Sequence, residues 1–295
     1  MIRFRDAIIL VLVVNGFILS LKGQNEVYHY NGSKTIVHEI ESSNSRTYKL
    51  HVTTPPGYST EENYDVVYYL DAWWLEDLVR GAYVLNFISH DAKPAILVGI
   101  GIDGNEHEWN VERNFDYTPS PYDIEKMIVS MSIGSAPLNT ETTGGATAFL
   151  TFMRSKVFTL IESKYSINGN NRGFIGHSFG GLFGVFSLLT QPGVFKNIVL
   201  ISPSLWWNKS ELLTEEHLGV LRELKSETNI FIAVGGAESR MLVNAISVFK
   251  AKIEAMNLQN INISVKMYKR EDHQSLLPQA IYDGFDRLYQ KRINR

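Results

Sequence analysis

Ser178 lies in Gly176-His177-Ser178-Phe179-Gly180-Gly181, between an apolar run that reads as a strand, Arg172 to Gly176, and one that reads as a helix, Gly180 to Leu189. A Gly-x-Ser-x-Gly segment in that setting reverses the chain sharply and holds its serine in a strained backbone conformation. Small residues on either side let strand and helix approach without Cβ clashes. The hydroxyl then projects above the strand ends, where the helix N-terminus favours developing negative charge. That is the layout of a nucleophile for acyl transfer. A serine hydroxyl is a poor nucleophile near neutral pH, so a base must take its proton and an acid must orient that base.

For a serine presented this way the acid and then the base come later in the chain. Of eight histidines only His217 and His273 follow Ser178. His217, in Glu215-Glu216-His217, reads as part of a solvated helix. His273 follows the last predicted strand and precedes the C-terminal helix, where the base belongs. Glu238 lies just after the predicted strand Asn229–Val234 and is the only carboxylate between Glu227 and Glu254. It can orient His273 or, in the plainer reading, answer the dipole of the helix that follows. Asp272 is the reserve acid, placed second because adjacent side chains rarely meet with the right geometry. The oxyanion needs two backbone N–H groups. One is expected from Phe179, the other from Ala72 or Trp73, on the loop after the predicted strand Asp65–Asp71.

Other signals admit two readings. Arg113 can clamp substrate oxygens or pair with Asp116 to shape a loop. Trp73, Trp74, Trp206 and Trp207 follow predicted strands on the side where open α/β sheets bind ligands. They can wall a substrate pocket or pack the core. Gly99, Gly101 and Gly104 have dinucleotide spacing, but a polar segment follows instead of the helix such a site requires. Asp103, Asn105, His107 and Glu108 have neither calcium-loop nor zinc-helix spacing and read as a solvated loop, so no metal is expected.

These groups have to be positioned by a sheet. Thr47–Thr54 alternates like a half-buried antiparallel strand. Asp65–Asp71, Ala95–Gly101, Arg172–Gly176, Asn197–Ile201, Asn229–Val234 and Ile261–Tyr268 read as further strands, most of them buried apolar runs. Phe149 to Ile161, Gly180–Leu189, Met241–Met256 and Leu276–Leu288 carry helical periodicity. Strand and helix in alternation predict one α/β domain over residues 25–295: a mostly parallel sheet, early antiparallel strands and helices on both faces. Asp103 to Thr147 has no strong period and reads as a lid insertion.

Composition narrows the function classes. With 28 Lys plus Arg against 31 Asp plus Glu, the net charge is −3, which argues against a nucleic-acid partner. The chain has no cysteine, which removes disulfides, thiolate metal sites and Cys nucleophiles. Residues 1–23 read as a signal peptide: a basic start, an apolar run Ala7–Leu21, then small and polar residues. That run, at about 1.5 Å per residue, covers too little of a roughly 30 Å bilayer core for a spanning helix. Export of a cysteine-free chain points to a bacterial periplasm, with no stable membrane span after processing. Nothing in the pattern specifies an oligomeric state.

Ser45–Val52, Val66–Asp71, Arg113–Pro119, Gly144–Leu150, Gly176–Leu182 and Ser202–Trp207 form ordered blocks covering nearly all of the chain after its first two dozen residues. On these blocks the chain resembles the esterase branch of the α/β-hydrolases that includes enterochelin-type siderophore esterases and esterase-D-like enzymes. The resemblance implies cleavage of carboxylic esters through an acyl-enzyme, with Ser178 and His273 in the roles above and no cofactor. It points to siderophore esters as the small-molecule partner. The family's Leu-Asp-Gly is here Leu70-Asp71-Ala72-Trp73-Trp74, so the oxyanion loop is expected to be shaped differently. An acyltransferase, or a non-catalytic protein that captures a siderophore or glycan, is the alternative on the same scaffold.

Overall fold

The computed structural model describes residues 26–29, 32–42, 46–89, 92–102, 104–122 and 140–289. The predicted signal peptide therefore lies outside the described residues. Strands β1 (Glu26–Tyr28), β2 (Lys34–Glu41), β3 (Thr47–Thr54) and β5 (Ala95–Ile102) pair antiparallel in that order. β4 (Tyr64–Tyr69), β6 (Ile167–His177), β7 (Asn197–Ile201), β8 (Thr228–Gly235) and β9 (Ile261–Tyr268) continue the sheet in parallel. The full order is β1-β2-β3-β5-β4-β6-β7-β8-β9.

The helices are α1 (Ala72–Ile88), α2 (Glu106–Asp116), α3 (Ala146–Phe152), α4 (Phe158–Lys164), α5 (Phe179–Thr190), short α6 (Trp207–Ser210) and α7 (Glu215–Gly219), α8 (Arg240–Ala255) and α9 (Leu277–Tyr289). A π turn over Met153–Val157 joins α3 to α4. Strand alternation sorts the core into two layers. On β4, Val66 and Tyr68 join the core under α3, α4, α5 and α8, while Val67 and Tyr69 join the core under α1 and α9. Both faces being covered is why the parallel strands read as unbroken apolar runs.

Two of the longer helices are not apparent from periodicity. In α1, Leu75, Val79, Ala82, Tyr83 and Asn86 are buried at helical spacing. α2 lies inside the segment expected to be an irregular lid, and its start is a capping box. Asn105 Oδ1 accepts the N–H groups of His107 (2.9 Å) and Glu108 (3.1 Å), and Glu108 Oε2 accepts the Asn105 N–H (2.8 Å). Asn105 and Glu108 are thus helix-start residues. Asp103 and residues 123–139 of the expected lid lie outside the described residues. No helix among the described residues is long and apolar enough to cross a membrane.

β4 lies between β5 and β6. The chain leaves β4 through α1 toward one neighbour and returns on the other side as β6. Ligands bind at such a reversal, outside the C-terminal strand ends.

Candidate active site

Ser178 sits between β6 and α5 with φ 58° and ψ −116°, a left-handed conformation that costs a non-glycine residue about 1–3 kcal/mol. A Cβ at Gly176 would collide with the backbone carbonyl of Gly180, and one at Gly181 would lie 2.9 Å from Pro203 Cα. Gly180 is less constrained, with Asp71 Oδ2 as its nearest neighbour at 3.6 Å. The end of β7 holds the serine's backbone: its N–H donates to Ile201 O (2.9 Å), and its carbonyl accepts from Ser204 N–H (3.1 Å). The Ser204 hydroxyl lies 3.4 Å from the Ser178 hydroxyl.

His273 stands on the loop between β9 and α9. Its Nδ1 lies 2.7 Å from Glu238 Oε2, and the Glu238 side chain is only 3% exposed. Burial alone would raise that carboxyl. Hydrogen bonds from His273, from the Ser202 hydroxyl and from the Gly235 N–H outweigh it and hold Glu238 below the ordinary carboxylate range. Asp272 faces its own turn, accepting the N–H groups of Gln274 (3.0 Å) and Ser275 (2.8 Å).

His177, not singled out in the sequence, joins the two halves. Its Nε2 donates to the His273 carbonyl (2.8 Å), and the two rings are 4.5 Å apart. Burial, the neighbouring His273 and Arg113 hold this imidazole well below its ordinary range, so it is neutral. Trp74 packs edge-on against His177 at 5.7 Å, backing the site.

Asp71 ends the β4 loop as the N-cap of α1, in a left-handed conformation (φ 57°, ψ 36°). Its carbonyl accepts Trp74 N–H (3.1 Å) and Leu75 N–H (3.0 Å). The N–H groups of Ala72 and Trp73 open the helix, where no carbonyl of the preceding turn can take them. β5 packs against this turn without demanding a glycine there: a Cβ at Gly101 would lie 3.5 Å from Trp73 N and 3.6 Å from Ala72 Cβ, ordinary contact distances. Gly99 leaves room for the Tyr69 ring. Packing against Tyr69, not nucleotide binding, accounts for Gly99.

Two readings need correction. Arg113 is neither a substrate clamp nor Asp116's partner. It is buried, donating from Nε and Nη2 to the two oxygens of Asp71 at 3.0 Å each. Its guanidinium also lies over Trp109 (4.9 Å), Tyr117 (5.5 Å) and Phe179 (5.5 Å). Asp116 instead accepts from Tyr48 Oη (2.6 Å) and Arg46 Nη1 (3.1 Å). Trp206 and Trp207 are buried packing residues, Trp207 lying between Phe179 (5.3 Å) and Tyr122 (5.4 Å). Trp73 alone of the four is exposed, at 47%, stacked on Trp109 with centroids 5.4 Å apart.

A serine with positive φ at the reversal point of a parallel sheet, and an imidazole bonded to a buried carboxylate on a loop that His177 ties to the serine's own turn, define a class. The protein is a serine hydrolase of the α/β-hydrolase type. The chain belongs to the Putative esterase family, whose model matches residues 42–276. It is similar to the ferri-bacillibactin esterase BesA of Bacillus subtilis, 29% identical over 254 residues that cover 83% of this chain and 86% of that one. It is also similar to the siderophore enterobactin esterase of Emericella nidulans, 27% identical over 64% of this chain and 70% of that one. Among solved structures, the BES protein from Bacillus cereus superposes with a TM-score of 0.73 at 25% identity, covering 90% of this chain and 99% of that one. An IroE-like serine hydrolase from Shewanella oneidensis gives 0.69 at 27% identity, over 86% and 80%.

Proposed function

We propose that the protein hydrolyses the ester bonds of a siderophore through an acyl-enzyme on Ser178. The observation that carries the chemistry is the 2.7 Å bond between His273 Nδ1 and Glu238 Oε2, on a loop held to the serine's turn by His177. The substrate class rests on the relatives' siderophore esters. Ser178 Oγ attacks the ester carbonyl and His273 takes its proton. Glu238 keeps the other ring proton on Nδ1 and stabilises the imidazolium that forms. The oxyanion lies between the backbone N–H of Phe179 and that of Ala72 or Trp73. Each such donor is worth about 10²–10³ in turnover. His273 returns its proton to the leaving alcohol, then activates the water that releases the acid.

Turnover of ferri-bacillibactin and enterobactin, followed by mass spectrometry of the freed acids, tests the reading. Hydrolysis of p-nitrophenyl acetate with no action on either siderophore would overturn the substrate class. Glycerol added to the same assay separates hydrolysis from acyl transfer, because a transferase yields the glycerol ester in place of free acid.

The exposed Trp73–Trp109 stack offers a flat wall to an aromatic acyl group. Trp73→Ala keeps the backbone N–H and removes the ring. It should raise KM for an aromatic siderophore ester about threefold to tenfold, the worth of one ring contact. KM for p-nitrophenyl acetate should stay within about twofold. Equal effects on both would remove the ring from substrate recognition.

We also propose export to the periplasm, on the basic start and apolar run of residues 1–23. Fractionation with mass analysis of the mature N-terminus tests it, and a full-length chain in the cytoplasm would refute it.

A further inference from the structure

Ser202 follows β7 directly, is fully buried, and has φ 45°. A buried non-glycine residue in that region is strained, and glycine would relieve the strain. Among the described residues the hydroxyl has one polar contact: Ser202 Oγ donates to Glu238 Oε1 at 2.6 Å. We propose that Ser202 is a positioning residue for the triad acid, locking the rotation of the Glu238 carboxylate so that Oε2 stays on His273 Nδ1. The inference rests on the reading of Glu238 as acid and His273 as base.

The geometry explains why a second donor is needed. The last torsion of a glutamate side chain is soft, with a broad range of accessible angles. Oε1 also accepts the Gly235 N–H at 2.7 Å. That donor belongs to the segment that carries Glu238, three residues away, and moves with it. Ser202 belongs to a different strand. Its N–H donates to Ala233 O (2.8 Å) on β8, while its neighbour Ile201 accepts the Ser178 N–H (2.9 Å). Ser204, two residues on, donates its N–H to the Ser178 carbonyl (3.1 Å). The turn Ser202-Pro203-Ser204 thus binds the nucleophile's backbone on one side and the acid's carboxylate on the other. Through it the acid is held in register with the serine.

Four proteins test this: wild type, Ser202→Gly, Glu238→Gln and the double variant, with kcat and KM measured on p-nitrophenyl acetate. Glycine suits φ 45°, so Ser202→Gly should fold and melt as the wild type does. Ser202→Ala serves as the second hydroxyl-free variant should glycine loosen the turn. Loss of a hydrogen bond to a charged group predicts a kcat about tenfold to a hundredfold lower. KM should stay within about twofold, since the hydroxyl meets no substrate. The downfield proton resonance of His273 Nδ1 should shift or broaden. In the Glu238→Gln background, adding Ser202→Gly should cost less than about threefold, because its route is already cut.

Ser202→Gly with wild-type kcat, alongside an impaired Glu238→Gln, would overturn the inference and leave the triad standing. Losses that multiply in the double variant would also overturn it, placing Ser202's effect elsewhere. Wild-type kcat in Glu238→Gln itself would remove the acid, and Ser202's role with it.

Discussion

Ser178→Ala is expected to lower turnover on any ester by about 10⁴–10⁶ and to leave the melting temperature unchanged. Alanine takes on the same left-handed backbone strain, so folding is indifferent to the change. Ser178→Gly should be as inactive, yet about 1 kcal/mol more stable, since glycine sheds the strain of φ 58° and gives back part of the gain in unfolded-state entropy. Exposure to a fluorophosphonate should add one adduct mass to the wild type and none to either variant. An adduct or turnover surviving in Ser178→Ala would place the nucleophile elsewhere. The stability difference between alanine and glycine reports the backbone strain at this position, and the adduct reports the nucleophile.

The second large effect concerns Arg113. Substitution by methionine leaves the Asp71 carboxylate buried with no cation, and breaking such a pair by removing one partner costs about 3–5 kcal/mol. Denaturant unfolding should show that loss. Neutralising the stranded charge with Asp71→Asn in the same chain should recover much of it, and asparagine tolerates the left-handed conformation at that position. Activity should fall as well. Arg113 ties the loop bearing Ala72 and Trp73 to the Phe179 ring, so both expected oxyanion donors lose a common support. A substrate clamp would behave differently, raising KM at unchanged stability. A loss under 1 kcal/mol would remove the structural role.

Arg113 also shows where sequence reasoning stopped. Its partner is 42 residues away in the chain and becomes a neighbour only once β4, α1 and β5 are laid down. The nearer carboxylate, Asp116, satisfies Tyr48 and Arg46 across the sheet instead. Strands whose burial is written as alternation or apolar runs were legible to the residue: Thr47–Thr54, Asn197–Ile201 and Ile261–Tyr268 agree with β3, β7 and β9. The helix α2 was hidden because its composition is polar. Asn105 followed three residues later by Glu108 carried its signature, and the absence of an apolar period outweighed it. β2 is hard to see in the sequence because each of its faces mixes apolar and polar residues, Ile36, His38 and Ile40 against Val37 and Glu39. At the site, the Gly-x-Ser-x-Gly segment pointed to Ser178, and chain order to His273 and Glu238, two side chains that are in contact in the fold. Ser202, His177 and Trp109 were not distinguishable, since their roles depend on which strand ends meet.

α5 buries eleven of its twelve residues, Phe179 to Leu189. Such a helix has no solvated face and cannot be held in place by one neighbour, so it docks only when both β6 and the helices around it are formed. Its amide protons should then exchange with solvent only through global unfolding, at the slow limit of the whole molecule. The nucleophile stands at the first turn of that segment. Loss of turnover along a denaturant series should therefore coincide with loss of the entire fold, with no inactive yet folded species between them.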